Sequence, residues 1–473
     1  MDGWIINHNT RRRASPQATL CVEFLEHRNK IPMQLKNGQQ LKAETLEQTV
    51  TVVRKLGEGG QGEVYCVTDG ERHYALKWYN IEQSTEEQKD AIRHLVTRGA
   101  PQRVTGAGER FIWPIDIILL DNALQFGYLM PLIDRQRFAE LGEIQALRKA
   151  PPSLVQLCEI SYQIANSYRA LHLSGYCYRD ISAGNLMFNP HCGDVLICDN
   201  DNIGINRQSK AQVYGTMEYM APEVVRGDAV PSTETDLHSL AILLFDLWVW
   251  HHPLHGEMEY QIRVWDVPAK RQIYGDNPIF IFDPKNKNNQ LPNEPDYDTA
   301  RQRWSYCPAP LQSLFIRAFT EGLHNPARRI MEGEWQSLFL QLKDGGIVCS
   351  KCHAENIWWQ EQTTLHCWHC QTVLTIPPKL VFANGPHTLL LNQKTKIFQR
   401  HIKHTTDNPN TIIGEIVQNP QNPKVWGIRN LTEKTWTATF PDGSLKSVEP
   451  QRAAPLKLGL KLNISGTEVE IVA

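Results

Sequence analysis

Between residues 57 and 223 the chain carries a series of glycine-rich and polar blocks whose order and spacing restrict its fold more than any bulk property does. The run "LGEGGQGEV" places Gly57, Gly59 and Gly62 in the pattern G-x-G-x-x-G-x-V. Strand-like sequence flanks it on both sides, whereas a dinucleotide-binding fingerprint would pass from a strand into a helix. Glycines in such a loop let backbone N–H groups come close to phosphate oxygens, and Val64 would then cover an adenine ring. Taken alone, the run reads equally as a plain glycine hairpin. Lys77 follows fifteen residues after Gly62, in "YALK" with Ala75 two places before it, an arrangement in which a strand lysine meets α- and β-phosphates. "YRDISAGN" follows a long amphipathic helical stretch and supplies Asp180, a carboxylate able to accept a hydroxyl proton, and Asn185, whose amide oxygen suits a metal. Asp199 stands fourteen residues beyond Asn185 at the end of an apolar run and offers a hard oxygen to Mg²⁺. "YGTMEYMAPE" then ends at Glu223, and Arg329 in "NPARRI" is spaced to pair with it.

In that order the blocks resemble the eukaryotic-type (Hanks-type) protein kinases over residues 50 to 344. The resemblance implies a β-rich N-lobe and a helical C-lobe sharing a cleft, ATP in the cleft, and transfer of its γ-phosphoryl group to Ser or Thr of protein substrates. It gives catalytic roles to Asp180 and Lys77, nucleotide contacts to Gly57, Gly59, Gly62, Val64, Ala75 and Lys77, and Mg²⁺ (or Mn²⁺) ligation to Asn185 and Asp199. Four positions depart from the pattern. "DND" at 199–201 stands where D-F-G is usual, so Asn200 replaces an aromatic residue, and Asp201 is either a second metal ligand or a loop carboxylate. Ser182 takes the place of the catalytic-loop lysine, with Arg207 and Lys210 as substitutes or as solvated loop charges. The helical glutamate that should pair with Lys77 is sought at Glu86 or Glu87, although Glu87 lies three residues after Ser84, a capping-box spacing. Tyr178 precedes Arg179 in place of histidine. Arg179 before Asp180 suggests control by a phosphate on the activation segment, where Ser209, Tyr214 and Thr216 are candidates, with Thr216 reading rather as part of the substrate-proximal loop. Ser15, after three arginines, is either a basophilic kinase site or an incidental serine in a basic leader.

A length of 473 residues calls for two to four domains. The 49 basic and 51 acidic side chains nearly cancel, which gives no reason to expect nucleic acid or an anionic membrane as partner. The N-terminus has no apolar run of signal-peptide length, and "LAILLFDLWVW" is too short to span and carries Asp246, so a soluble cytoplasmic protein is expected. Strand-like runs precede helical ones, an α+β pattern. The division expected is 1–45 as a leader, 46–345 as the kinase domain, 346–375 as a zinc ribbon and 376–473 as a β-sandwich-like domain. Residues 256–304, rich in Pro, Asn and Asp, read as an insertion or extended loop.

Of eleven cysteines seven are scattered, while Cys349, Cys352, Cys367 and Cys370 form two C-x-x-C pairs fourteen residues apart. Each pair makes a turn with both thiolates facing one point, and four thiolates close a tetrahedral Zn²⁺ site with no open position. His353, His366 and His369 are then left behind the ligands or at the surface. Little positive charge and three nearby tryptophans, Trp358, Trp359 and Trp368, favour protein docking or folding over nucleic acid. The order kinase then ribbon, with "YGDNPIFIFDP", resembles a bacterial group of Hanks-type kinases associated with tellurite-resistance and von Willebrand type-A proteins and a partner phosphatase, which implies those partners and a role in stress signalling. The tail, chiefly "GIRNLTEKTW", resembles forkhead-associated domains but lacks their G-R, S-x-x-H and N-G phosphothreonine-reading motifs, so a protein-interaction role is expected. The competing function is a nucleotide-binding pseudokinase scaffold, motivated by Ser182, Asn200 and the unplaced glutamate. A small-molecule kinase is a third reading, and the intact "GTMEYMAPE" counts against it.

Overall fold

The computed structural model describes residues 34–46, 48–101, 106–120, 124–206, 215–359, 362–383, 385, 388–393, 395–403 and 410–473. The chain divides into two compact units, one formed by the chain up to Gly99 with Trp113–Ile133, the other by Ala100–Ile112 with Asp134–Ala473.

The first unit is a closed antiparallel barrel. Strands β1 (Gln40–Ala43), β2 (Thr49–Gly59), β3 (Gly62–Thr68), β4 (His73–Tyr79), β5 (Asp116–Leu119) and β6 (Phe126–Pro131) run in the order β1-β2-β3-β4-β6-β5. β1 lies inside the stretch read from sequence as leader. Its alternating Leu41 and Ala43 turn inward, and it pairs with both β2 and β5, so it is the strand that closes the barrel. Leu41, Val50, Val52, Val67, Leu76, Trp78, Ile118 and Leu129 fill the interior, each large side chain contributing about 1.5–3 kcal/mol by leaving water. Asp116, fully buried, accepts from the backbone N–H groups of Thr45, Leu46 and Ile117 at 2.9, 2.7 and 2.8 Å and so holds the turn after β1. Helix α1 (Glu86–Arg98) buries Ile92 and Leu95; Thr85 caps it by accepting from Gln88 N, where the sequence suggested a cap at Ser84.

The second unit carries the long helices α2 (Leu154–Leu173), α3 (Thr233–Val249), α4 (Ala309–His324) and α5 (Glu332–Asp344). A reciprocal Ser153–Gln156 capping box starts α2. α3 is apolar on nearly every side, with Leu240, Ile242, Leu243, Leu244 and Phe245 fully buried, the mark of a central helix. Short strands β7 (Ala139–Glu140), β9 (Leu186–Phe188) and β10 (Val195–Ile197) form one sheet, and β8 (Tyr176–Cys177) pairs with β11 (Gly204–Ile205). The segment read as an extended loop is more ordered than its composition suggested, with helical turns at Glu257–Tyr260, Val267–Arg271 and Asp298–Tyr306. Packing explains the difference: Phe280 and Trp304 lie 5.5 and 6.0 Å from the Phe245 ring of α3, and buried Asn289 donates to Leu254 O and Ile279 O while accepting from Met258 N.

Beyond α5 come two small hairpins, β12 (Gly346–Val348) with β13 (Glu355–Ile357) and β14 (Leu365–His366) with β15 (Val373–Leu374). They are followed by β16 (Lys379–Phe382), β17 (Thr388–Leu390), β18 (Lys396–Phe398), β19 (Ile412–Asn419), β20 (Asn422–Asn430), β21 (Trp436–Thr439), β22 (Leu445–Val448), β23 (Ala453–Pro455), β24 (Lys461–Ile464) and β25 (Thr467–Val472). These ten make a six-stranded sheet, β17-β16-β25-β24-β21-β22, and a four-stranded sheet, β18-β19-β20-β23, around one core centred on buried Trp436. The all-β tail joins the helical part through Asp344 at the end of α5, which accepts from Arg400 at 3.1 Å and pairs with His401 at 3.0 Å.

Candidate active site

Strand pairing gathers the glycine and lysine candidates on one face of the barrel sheet. Gly57 stands opposite Val64, Val64 opposite Lys77, Cys66 opposite Ala75 and Gly62 opposite Tyr79, while Leu76 and Trp78 turn to the other face and the core. A Cβ at Gly62 would fall 2.1 Å from the Trp78 carbonyl oxygen, so only glycine fits there; at Gly57 and Gly59 it would meet nothing within 4 Å. Lys77 is 7% exposed, donates to Gln61 Oε1 at 2.6 Å, and lies 5.5 Å from the Tyr79 ring centroid. The two helical glutamates point elsewhere. Glu86 is largely exposed and pairs with Lys89 at 3.1 Å, Glu87 is exposed, and the first-turn side chain that reaches β4 is Gln88, donating to the Tyr79 hydroxyl at 3.1 Å.

In the second unit the loop after α2 fixes Asp180 on both carboxylate oxygens. Oδ1 accepts from the Thr216 N–H at 2.8 Å and its hydroxyl at 2.9 Å; Oδ2 accepts from Asn185 Nδ2 at 3.0 Å, which also donates to Asp180 O at 2.9 Å. Those bonds use the Asn185 nitrogen and leave its oxygen as a donor for a cation. Asp199 follows β10 in a left-handed turn (φ 54°, ψ 51°), and the buried Tyr178 hydroxyl donates to Cys198 O, fastening the Asp180 loop to the residue before Asp199. The Asn185 amide and the Asp199 carboxylate carry oxygens of the hard kind that Mg²⁺ prefers. Asn200 is 1% exposed and donates to Ile197 O at 3.0 Å; its Oδ1 has no partner among the described residues, and Asp201 beside it is buried too. Arg179 is left-handed (φ 74°), and a Cβ at Gly204 would sit 1.8 Å from its guanidinium, a reason for glycine that the sequence reading did not see. Arg207, Ser209, Lys210, Tyr214 and Ser15 lie outside the described residues.

Behind this loop Asp236 accepts from the N–H groups of Tyr178 and Arg179 at 2.5 and 3.0 Å and lies 3.0 Å from His172 Nε2; His172 Nδ1 meets Glu332. Burial alone would push the His172 pKa down, but its hydrogen bonds to Asp236 and Glu332 outweigh that and raise it to about 9. A folded pKa above the unfolded value of about 6.5 gives stability that is full below the unfolded pKa and is lost as pH rises through the folded one. The advantage of wild type over His172→Gln in urea unfolding is therefore expected to be largest near pH 6 or below, about the unfolded pKa, and to shrink through pH 9; a difference flat in pH would contradict a charged His172. Arg329, 2% exposed at its side chain, forms two 2.8 Å bonds to the Glu223 carboxylate. Arg329→Met strands that carboxylate and is expected to cost about 3–5 kcal/mol of unfolding free energy. Adding Glu223→Gln should recover part of it; equal losses in single and double variants would argue against the pair.

Cys349, Cys352, Cys367 and Cys370 bring their sulfurs within 4.8 Å of one another, and no described cysteine is bridged. The two knuckles repeat each other: Cys349 N donates to Ala354 O and Cys367 N to Thr372 O, and the residues after the second cysteines, His353 and Gln371, are both left-handed (φ 62° and 57°). Four soft thiols converging in this way fit Zn²⁺. His353, His366 and His369 are exposed. The knuckles lean on the helical part: Glu355 Oε2 accepts from Val155 N in the first turn of α2 at 2.8 Å, and Trp368 lies 4.7 Å from Tyr306.

A barrel with a glycine hairpin and a helical unit with an anchored Asp180 loop are the two parts of a protein kinase domain. Residues 50–302 match the protein kinase domain family, and the chain belongs to it. It is similar to mitogen-activated protein kinase kinase kinase 13-B of Xenopus laevis (29% identical, covering 48% of this chain and 20% of that protein). It is also similar to the DNA damage-responsive serine/threonine-protein kinase RqkA of Deinococcus radiodurans (25% identical, 44% and 30%) and to the serine/threonine-protein kinase SCH9 of Saccharomyces cerevisiae (25% identical, 44% and 25%). The chain therefore spans less than a third of the length of these three relatives.

Proposed function

We propose that this chain is an ATP-dependent protein serine/threonine kinase. The observation that carries the reading is the Asp180 carboxylate, held between Thr216 and Asn185. In this reading Lys77 and the backbone of the Gly57–Gly62 hairpin hold the phosphates, and Val64 and Ala75 line the adenine side. Asp180 orients the acceptor hydroxyl and takes its proton as the oxygen bonds to the γ-phosphorus and ADP departs. Asn185 and Asp199 would hold a divalent cation, which supplies charge neutralisation at the phosphates. The domain division keeps 46–345 as the kinase, extended back to β1, with 346–375 as a zinc ribbon and 376–473 as an interaction domain; the two sheets packed on one core support the forkhead-associated likeness. Von Willebrand type-A and phosphatase partners and a part in bacterial stress signalling rest on the sequence resemblance. No described helix is long and apolar enough to cross a membrane.

The test is transfer of labelled phosphate from ATP to a generic protein acceptor, with the labelled residues mapped. Label on Ser or Thr supports the proposal; nucleotide binding without transfer would make the chain a scaffold, and label on a metabolite alone a small-molecule kinase.

A further inference from the structure

We propose that His252 is the positioning residue of the acceptor-docking turn Met217–Tyr219, acting through the bond from its Nε2–H to the Glu218 carbonyl. The inference rests on the kinase reading and names what holds the surface that meets the protein substrate. Thr216 donates to Asp180 through its N–H and its hydroxyl, so the turn that follows leaves directly from the base, and an acceptor that brings a hydroxyl to Asp180 passes beside it. Glu218, two residues on from Thr216, has its Cα within about 7 Å of it.

Glu218 is tied at both ends. Lys270 pairs with its carboxylate at 3.0 Å, and His252 Nε2 lies 2.8 Å from its carbonyl oxygen. The other ring nitrogen fixes the direction of that second bond. Leu254 N lies 3.2 Å from His252 Nδ1, and a backbone N–H can only donate. Nδ1 is therefore the bare acceptor, which leaves the proton on Nε2, aimed at Glu218 O. Burial of the ring, with His255 beside it, pushes the His252 pKa well below its ordinary value and keeps this neutral form. Pro253 sets the turn between His252 and Leu254, and the ring lies 4.3 Å from that of His255 and 5.4 Å from that of Tyr274. The neighbours of Glu218 are seated as well. Met217 packs against the cluster of Leu254, Ile273, Tyr274 and Leu323, and Ser239 Oγ donates to Tyr219 O at 2.7 Å. The Tyr219 hydroxyl donates to Asp246 at 3.1 Å and is hydrogen-bonded to the backbone of Ala183, in the Asp180 loop. The turn is thus set against the loop that carries the base, and His252 holds its middle carbonyl.

The experiment compares wild type, His252→Gln and His252→Asn, which both remove the imidazole ring. A glutamine amide reaches the place of Nε2 and restores a donor for Glu218 O, whereas an asparagine oxygen reaches only the place of Nδ1 and restores the acceptor for Leu254. The first readout is the kinetics of phosphate transfer to casein or a histone, whichever wild type labels. His252→Asn leaves the Glu218 carbonyl without its donor and is expected to raise KM for the acceptor about tenfold, with a smaller change in kcat and the KM for ATP unmoved; His252→Gln recovers most of the loss. Equal acceptor kinetics in the two variants, or an ATP KM that rises as much as the acceptor KM, would overturn the proposal. The second readout uses wild type and does not depend on how His252→Asn folds: ¹⁵N-histidine magnetic resonance at about pH 7, with His252 assigned by the signal missing from His252→Gln. A neutral ring protonated on Nε2 is expected, and an Nδ1–H ring or an imidazolium would overturn the bond. A wild type that transfers no phosphate would remove the kinase reading and this role with it, whereas transfer by wild type with two equal variants would remove the role alone.

Discussion

Asp180→Asn is expected to lower phosphate transfer by about 10²–10⁴-fold, the usual contribution of a positioned general base. The substitution preserves shape but removes the proton acceptor. It also disturbs the loop, because both carboxylate oxygens now accept: Oδ1 from Thr216 N–H and Oγ1–H, Oδ2 from Asn185 Nδ2. An amide NH₂ in either place faces a donor and loses a bond. The proposed nucleotide contacts lie on other residues, so binding of a fluorescent ATP analogue should persist while transfer disappears. Thr216→Val, which deletes one donor and leaves the base, should fall between the two. Undiminished transfer in Asp180→Asn would displace Asp180 from the role of base and the proposed mechanism with it. The hydrogen-bonded state of Asp180 favours a working loop over the scaffold reading that Ser182 and Asn200 suggested.

Metal analysis is expected to find about one zinc per chain, and Cys367→Ser or a strong chelator should remove it and destabilise more than the ribbon. Structural zinc in small domains supplies on the order of 10 kcal/mol of apparent folding free energy, so the knuckles are not expected to persist without it. Their loss removes two supports from the kinase part. Glu355 leaves the first turn of α2, where its charge satisfies an otherwise unpaired N–H, and Trp368 leaves the Tyr306 ring. A lost cap and an aromatic contact cost together about 1–3 kcal/mol, visible as a lower unfolding midpoint for the whole second unit. Glu355→Gln with the metal retained should reproduce only the capping part. A metal-free protein that melts at the wild-type temperature would exclude a structural zinc.

Much of this molecule is written in local sequence. The inward alternation of β2 to β4, the Ser153–Gln156 start of α2, the glycine spacing and the paired C-x-x-C turns each act through neighbours a few residues away, and the corresponding elements form where their patterns place them. The Glu223–Arg329 pair was legible as well, because the intervening blocks set its spacing. Long-range packing decided the rest. β1 became a strand of the barrel because β5, more than seventy residues later, offered a free edge. The Pro- and Asn-rich segment took on order because Phe280 and Trp304 found the Phe245 ring. Glu86 and Glu87 on α1, sought as partners of Lys77, turn to Lys89 and to solvent, while strand register and the seat of Gly62 bring Gln61 within a hydrogen bond of Lys77. Thr216 and Tyr178 showed no sign in sequence of holding Asp180 and the segment before Asp199, since a hydroxyl's partner depends on where a distant backbone passes. Residue types and their spacing determined which chemistry this protein can carry, and tertiary contacts decided which side chains aim it, because hydrogen bonds are set by positions in space that no local pattern encodes.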